Sequence, residues 1–487
     1  MQKRALLLAI MVSVAIASFS QNDASEEYEK FRRQMMGKYD DFRSEANRKY
    51  ADFLRQAWEE YKQKPAIPKP RDENRPPVVM PDKDKNKPVE DKPVTIDGVV
   101  TPPAPQPQPQ PVAPIREQQP QTEDKTITFY YYNTECRVRF PEKTMFSLAR
   151  CDRNTLADAW ETLSESDYNN TIRDCLKLRE RLKLCDWAYI NMLMTMSESV
   201  LGKTNEATLL TAYVYCQSGY DIRLGVTTGK VCLLYASRYV IYNKGYYSVG
   251  GKQYYPFGNT GETMYICDTP FPEEKPLDLS ISGTMSLAYA ATPNRTIQSS
   301  QYPDVKVTVF TNKNLIDFYN TYPSSMVDND FMTRWAFYAN TPMDEKTKEK
   351  LYGDIKPNIE GLSVREAVDK LLNFVQTGFV YEYDDKVWGG DRAFFAEETL
   401  YYPYCDCEDR SILFSRMVRD LLGLKVVLVY YPGHLATAVR LGEDVMGDHL
   451  MIGNDRYVVC DPTYIGAPVG RTMPDMDNKS AKVIVLH

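Results

Sequence analysis

Histidine is scarce in this 487-residue chain: it occurs at positions 434, 449 and 487 only. Imidazole chemistry must therefore run through one of these three residues, and a histidine-rich metal centre is excluded. Long apolar runs are missing too. Beyond Ala5 to Ala17 no stretch is apolar and long enough to cross a bilayer, which takes about 20 residues. Positive charge is not in excess, with 59 Lys and Arg against 66 Asp and Glu and a formal charge of −7. That balance gives no reason to expect a nucleic-acid partner. No calcium loop or glycine-rich phosphate loop occurs. The pair Cys405 and Cys407 lacks the partner Cys or His cluster that zinc requires. Neither a metal nor a cofactor is therefore expected.

What remains is ordinary for a globular chain: 43% hydrophobic and 26% charged residues, with length for two or three domains. Lys3 and Arg4, the apolar run Ala5 to Ala17 and the small residues Ser18 and Ser20 read as an export signal over residues 1–20. No cysteine follows the run, which argues against a lipid anchor. The expected location is periplasmic or extracellular. In that setting the ten cysteines invite disulfides. If one of them is a free nucleophile, at least one more must also be unpaired. Cys405 and Cys460 are either a bridge or two buried thiols.

Residues 24–64 predict a helix with an internal period. Tyr28, Tyr39, Tyr50 and Tyr61 stand 11 apart, and Phe31, Phe42 and Phe53 repeat three residues behind them. Eleven residues make three helical turns, so the aromatics form one stripe. The stripe either packs on its own domain or serves self-association or docking. From Pro65 to Lys125 the composition changes abruptly. Sixteen of the 31 prolines fall here, and the segment reads as an extended, disordered tether with no core of its own. Residues 126–275 form the first folded unit. Residues 276–345 are expected to be a small β-rich connector, with strands over Leu277 to Ala290 and Val305 to Thr311. Residues 346–487 form the last unit, in which Lys425 to Tyr431 and Leu435 to Arg440 make a hairpin across Pro432-Gly433.

The last unit centres on Tyr404-Cys405-Asp406-Cys407-Glu408-Asp409-Arg410-Ser411. Leu413/Phe414, Met417/Val418 and Leu421/Leu422 follow at helical spacing. The acids supply the cap and first turn of that helix. Cys407 therefore sits where the helix dipole favours a thiolate. His434 opens a strand and Asp461 ends another, so cysteine, histidine and aspartate follow in the order of a thiol acyl-transfer site. His449, in Gly-Asp-His-Leu, is the rival base. Cys405 is the rival nucleophile, but it precedes the helix and loses the dipole. The Cys407 backbone N–H is the natural oxyanion donor. Trp388 and Tyr401 are candidates for a second donor or, more commonly for such residues, a substrate-groove wall or the core.

Asp406-Cys407-Glu408-Asp409, Gly433-His434 and Cys460-Asp461-Pro462-Thr463-Tyr464 resemble the motifs of the transglutaminase-like superfamily, a branch of the papain-like cysteine peptidase fold. The resemblance covers the last third of the chain. It implies an α+β domain with the cysteine helix packed on an antiparallel sheet. It also implies catalysis by Cys407, His434 and Asp461 through a thioester, with a peptide or protein substrate, cell-wall peptide included. Residues 203–233 align without gaps onto 407–437 at an offset of 204. Lys203 then falls on Cys407 and Lys230 on His434, so the first unit reads as a degenerate copy of the last. The competing expectation is a tethered binding or scaffold protein that keeps a vestigial triad.

Overall fold

A computed structural model describes residues 21–70, 75–85, 87–116, 124–141, 146–165, 168–258, 260, 263–442 and 445–487. The expected export signal lies outside them. No helix among the described residues is long and apolar enough to cross a membrane. The fold is α+β, with its sheets mostly antiparallel.

The first helix, α1, spans Gln21–Arg55 and stops short of the expected residue 64. Tyr61 instead lies in β1, Glu59–Lys62, which pairs antiparallel with Thr263–Ile266. Pairing with a sheet edge overrides the helical period there. Ala46, Tyr50 and Leu54, four apart and so on one face, are buried. The Tyr50 ring meets Trp160 at 4.7 Å, and Arg55 grips Glu161 with two bonds of 2.7–2.8 Å. Tyr28, Phe31, Phe42 and Phe53 stay exposed, so the aromatic stripe is divided between core and surface.

The proline-rich stretch is not the free tether its composition predicted. It supplies β2 (Val78–Val79), β3 (Lys92–Thr95) and β4 (Val99–Val100), all of which pair in parallel with strands of the last unit. Met80, Ile96, Ala113 and Ile115 are buried. Proline carries no N–H, but its carbonyl and its neighbours can still bond. Arg179 donates to the Pro109 carbonyl at 3.0 Å, the Gln108 amide donates to the Leu184 carbonyl at 2.8 Å, and the Gln106 N–H donates to Asp278 at 3.0 Å. The segment is thus fastened by side chains of the folded body.

The first unit opens with the hairpin β5 (Asp124–Tyr131) and β6 (Thr134–Pro141). The helices α2 (Arg153–Glu165), α3 (Tyr168–Arg181), α4 (Asp186–Leu201) and α5 (Asn205–Gln217) follow. The strands β7 (Ile222–Thr227), β8 (Lys230–Ala236), β9 (Tyr247–Val249), β10 (Lys252–Pro256) and β11 (Thr263–Ile266) form a sheet in the order β1-β11-β7-β8-β10-β9.

The connector is less β-rich than its alternating apolar pattern predicted. Leu277, Leu279, Ile281, Met285 and Leu287 are buried at largely alternate positions, as in a strand, yet the stretch forms no ladder. Side chains take up its polar groups instead: Asp278 accepts from the N–H and hydroxyl of Ser280 and from the Tyr239 hydroxyl. The strand pair here is β12 (Arg295–Gln298) with β13 (Lys306–Val309), and short helices span Lys313–Tyr319 and Arg334–Asn340.

The last unit contains α6 (Val364–Gly378), opened by a reciprocal Ser363–Glu366 capping box. It continues with α7 (Ala396–Tyr401), α8 (Cys407–Leu422), β14 (Val426–Tyr431), β15 (His434–Val439), β16 (Asp448–Ile452), β17 (Asp455–Cys460), β18 (Tyr464–Ile465) and β19 (Lys482–Val485). Its sheet runs β3-β16-β17-β15-β14-β19-β4. The two large sheets share one inner order: β11-β7-β8-β10-β9 in the first unit corresponds to β19-β14-β15-β17-β16 in the last. Every pairing within these five strands is antiparallel in both. At an offset of 204 residues Ile222–Thr227 falls on Val426–Tyr431, and Lys230 on His434. One apolar core runs from Tyr50 through Trp160 and Trp335 to Cys407, Leu435 and Ile484, joining the two units.

Candidate active site

Cys407 is the first residue of α8, after the N-cap Asp406, whose box with Asp409 satisfies the helix start. Gly423, left-handed at φ 64°, ends the helix and turns the chain into β14. A tight turn through Pro432 and Gly433 then delivers His434 as the first residue of β15. Ser411, one helical turn past Cys407, donates to the Leu435 carbonyl at 2.9 Å and ties the two starts together. The Leu435 backbone N–H bonds to the Cys407 sulfur. The start of α8 and the start of β15 are thus joined at Leu435, the residue after His434.

Asp461 follows β17. Its Oδ2 lies 2.9 Å from His434 Nε2, and its Oδ1 accepts the Thr463 N–H at 2.8 Å. With Nε2–H given to Asp461, the basic nitrogen of the ring is Nδ1. That atom is buried and has no hydrogen-bond partner among the described residues. All three side chains are buried, at 1%, 2% and 2% exposure.

The rivals sit elsewhere. His449 belongs to strand β16 rather than the expected loop, and its Nδ1 is held by the Gly447 carbonyl at 3.0 Å and by Asp91 at 3.3 Å. Cys405 lies in a short strand paired with Val380–Tyr381, and burial pushes its thiol up to about 11. Trp388 packs on Tyr402 and Phe394 with the Arg392 guanidinium 4.4 Å from its ring, and Tyr401 packs on Tyr402. Both groove-wall candidates thus join an aromatic cluster with Phe394 and Tyr402. None of the ten cysteines is in a disulfide, so the bridges that an exported chain invites are not formed.

The charge environment differs from the expectation of a helix-start thiolate. Burial, then the Glu408 and Asp406 carboxylates, push the Cys407 thiol well above its ordinary value, while the Leu435 N–H pulls it back in part. Glu408 Oε2 lies 3.2 Å from the sulfur. Desolvation and two adjacent acids outweigh the helix dipole, which contributes only up to about 2 kcal/mol in buried geometries.

Sequence reasoning missed the polar scaffold around the triad. Gln376, on the buried face of α6, donates its amide to the carbonyls of Asp461, Tyr464 and Ala467 at 2.8–3.1 Å, fixing the loop that carries the aspartate. The available signal was a glutamine amid the apolar positions of an amphipathic helix. It also missed a nest of acids. The carboxylate oxygens of Asp384, Asp406 and Asp409 lie within 4.8 Å of one another, as do those of Asp384, Asp391 and Glu408. These are the side chains that could ligate a hard cation. Each also has a role in the protein: Asp384 accepts the Arg392 N–H, Asp409 accepts the N–H groups of Phe394 and Asp406, and Asp391 pairs with Lys69 at 3.1 Å.

No protein-family model matches the chain. No curated protein matches it either. Its chemistry must therefore be argued from this geometry.

Burial leaves a pH signature. Asp384 is pushed up to about 7, Glu398 to about 7 and Glu397 to about 8, in each case chiefly by desolvation. Acids that hold their proton more tightly when folded contribute stability that is complete below their ordinary values and lost as pH rises through the raised ones. Glu397, whose Oε1 accepts the Asp344 N–H at 2.7 Å, is the cleanest case. Its rise from 4.5 to about 8 corresponds to about 5 kcal/mol at most. The thermal midpoint should fall between pH 5.5 and 8.5, and Glu397→Gln should flatten that slope. An unchanged slope in the variant would show that Glu397 is ionised when buried.

Proposed function

We propose that this chain is an exported cysteine hydrolase of the transglutaminase-like type, cleaving peptide-type amide bonds through Cys407, His434 and Asp461. The observation that carries the reading is His434: one nitrogen is committed to Asp461, the other is buried without a hydrogen-bond partner among the described residues, and the next residue, Leu435, bonds the sulfur of the helix-start cysteine. In the reaction His434 Nδ1 takes the thiol proton as the sulfur adds to the carbonyl carbon. The Cys407 backbone N–H stabilises the oxyanion. The C–N bond then breaks, the imidazolium returns its proton to the leaving amine, and water hydrolyses the thioester to restore the thiol. Asp461 holds the ring in the tautomer this requires.

The first unit fits the reading as a duplicate without the chemistry. Its sheet repeats the order of the last one, but Lys203 and Lys230 stand exposed where Cys407 and His434 are buried. The Val231 N–H, equivalent in position to that of Leu435, is taken by Asn205 at 3.0 Å instead of by a sulfur. A second reading, a binding protein with a vestigial triad, is favoured by the raised Cys407 thiol alone.

The test is incubation of the full chain, and of a Met80→Asp variant, with peptide and cell-wall peptide libraries, read by mass spectrometry. Cleaved peptides and a hydroxylamine-sensitive adduct on Cys407 are expected. Libraries left intact by both proteins would favour the binding reading.

A further inference from the structure

The segment Arg75–Met80 runs past the turn before His434 and the strand after Asp461. The Arg75 N–H donates to the carbonyl of Gly433, the residue before His434, at 3.0 Å. The Arg75 carbonyl accepts the Tyr381 hydroxyl at 3.0 Å. Tyr381 pairs with Cys405, two residues before Cys407. Val78 and Val79 then pair in parallel with Tyr464 and Ile465, just past Asp461, and the Met80 N–H donates to the Ile465 carbonyl at 2.9 Å. The Met80 side chain is buried with Tyr464, Ala467 and Met473. The segment thus bonds to the residue before His434, to the strand that follows Asp461 and, through the Tyr381 hydroxyl, to the strand pair that precedes Cys407, and it seats one apolar side chain against the loop after Asp461.

We infer that β18 and the Gly433 carbonyl form a groove for an extended peptide, and that Arg75–Met80 is an internal occupant that holds the site closed. The inference rests on the hydrolase reading for the identity of the site. An extended chain that adds to a short exposed strand gains affinity from main-chain bonds and specificity from alternate side-chain pockets. A substrate in this seat presents an N–H to Gly433 and an unbranched apolar side chain to the Met80 pocket. The occupant carries Pro76 and Pro77, which lack N–H groups and fix an extended backbone, so it fills the groove at small entropic cost. It is anchored on both sides, by the Lys69–Asp391 ion pair before it and by β3 and β4 after it.

The experiment is alkylation of Cys407 by iodoacetamide at pH 8, followed by peptide mapping so that the other cysteines do not interfere. Two full-length variants are compared with the wild type. Met80→Asp empties the apolar seat, and Arg75→Pro removes the donor to Gly433; if either fails to fold, the other carries the comparison. At least a tenfold faster modification of Cys407 is expected in the variants, with Cys405 and Cys460 still unreactive. The peptide Arg-Pro-Pro-Val-Val-Met-Pro-Asp in excess should return the rate towards that of the wild type. Equal rates in wild type and folded variants overturn the closure, and failure of the peptide to slow the variants overturns the groove. Faster alkylation without any cleaved peptide sinks the hydrolase reading and leaves the strap standing. Undiminished cleavage by the wild type relative to both variants does the reverse.

Discussion

Cys407→Ala is expected to abolish amide cleavage, by at least about 10⁴-fold in kcat, in the intact chain and in Met80→Asp alike. The loss is this large because the sulfur forms the bond that makes the intermediate, and no neighbouring group replaces it. Glu408 and Asp406 are closest, but Asp406 is pushed well above its ordinary value by burial, Glu408 and Asp409, and neither acid occupies the first position of the helix, where the sulfur sits. The fold should survive. Cys407 is buried among apolar side chains, and removing one sulfur costs about 1–2 kcal/mol in such a site. It also relieves the contact with Glu408. His434→Ala should lose activity to a similar extent, and Asp461→Asn less, since it disturbs the orientation of a ring that remains. The measurement is turnover of a cleaved peptide together with the thermal midpoint of each variant. Full turnover by Cys407→Ala would remove the thiol mechanism outright.

Gly219→Ala should destabilise the protein by about 3–5 kcal/mol, among the largest effects available to a single methyl group. Gly219 has φ 96°, a conformation side-chain-bearing residues avoid, and a Cβ there would lie 2.1 Å from the Gln110 carbonyl oxygen. The obstacle is backbone, so no side-chain rotation relieves it. The proline-rich segment must lift away, breaking the bonds from Arg179 to Pro109 and from Gln108 to Leu184. Urea unfolding reads the loss, and limited proteolysis within residues 102–116 should locate it. A variant as stable and as resistant as the wild type would mean that this segment is loose after all.

Much of the last unit is legible in the sequence because its local signals agree with one another. The Ser363-x-x-Glu366 box, the apolar spacing after Cys407 and the Pro432-Gly433 turn each specify one conformation, and the elements fall where those signals put them. The His434–Asp461 pair was legible for the same reason, as residues at the ends of well-marked strands. The proline-rich segment was not. Its composition correctly denies it a core of its own, yet says nothing of Arg179, which donates to the Pro109 carbonyl, or of Asp278, which accepts the Gln106 N–H. The Cys407 environment was misread because a helix dipole is written in local sequence, whereas desolvation is a property of the finished core. The aromatic period shows the same limit: eleven-residue spacing continues through Tyr61, but a sheet edge decides its conformation.

The edges of the last sheet come from the opposite end of the chain. β3 and β4 flank strands more than 300 residues further on, and Asp91 receives Arg456 across 365 positions. Parallel pairing at such separation cannot begin until synthesis is nearly finished, and long loop closure makes it slow. During that interval β16 and β19 are open edges, able to pair with any extended chain nearby. The order of assembly therefore makes the sheet that carries His434 the last part of the molecule to be bordered on both sides. A chain that stalls before residue 482 would lack β19, leaving β4 without the strand it borders. Folding rate and the covering of the site are in this way tied to the same stretch, Arg75 to Val100.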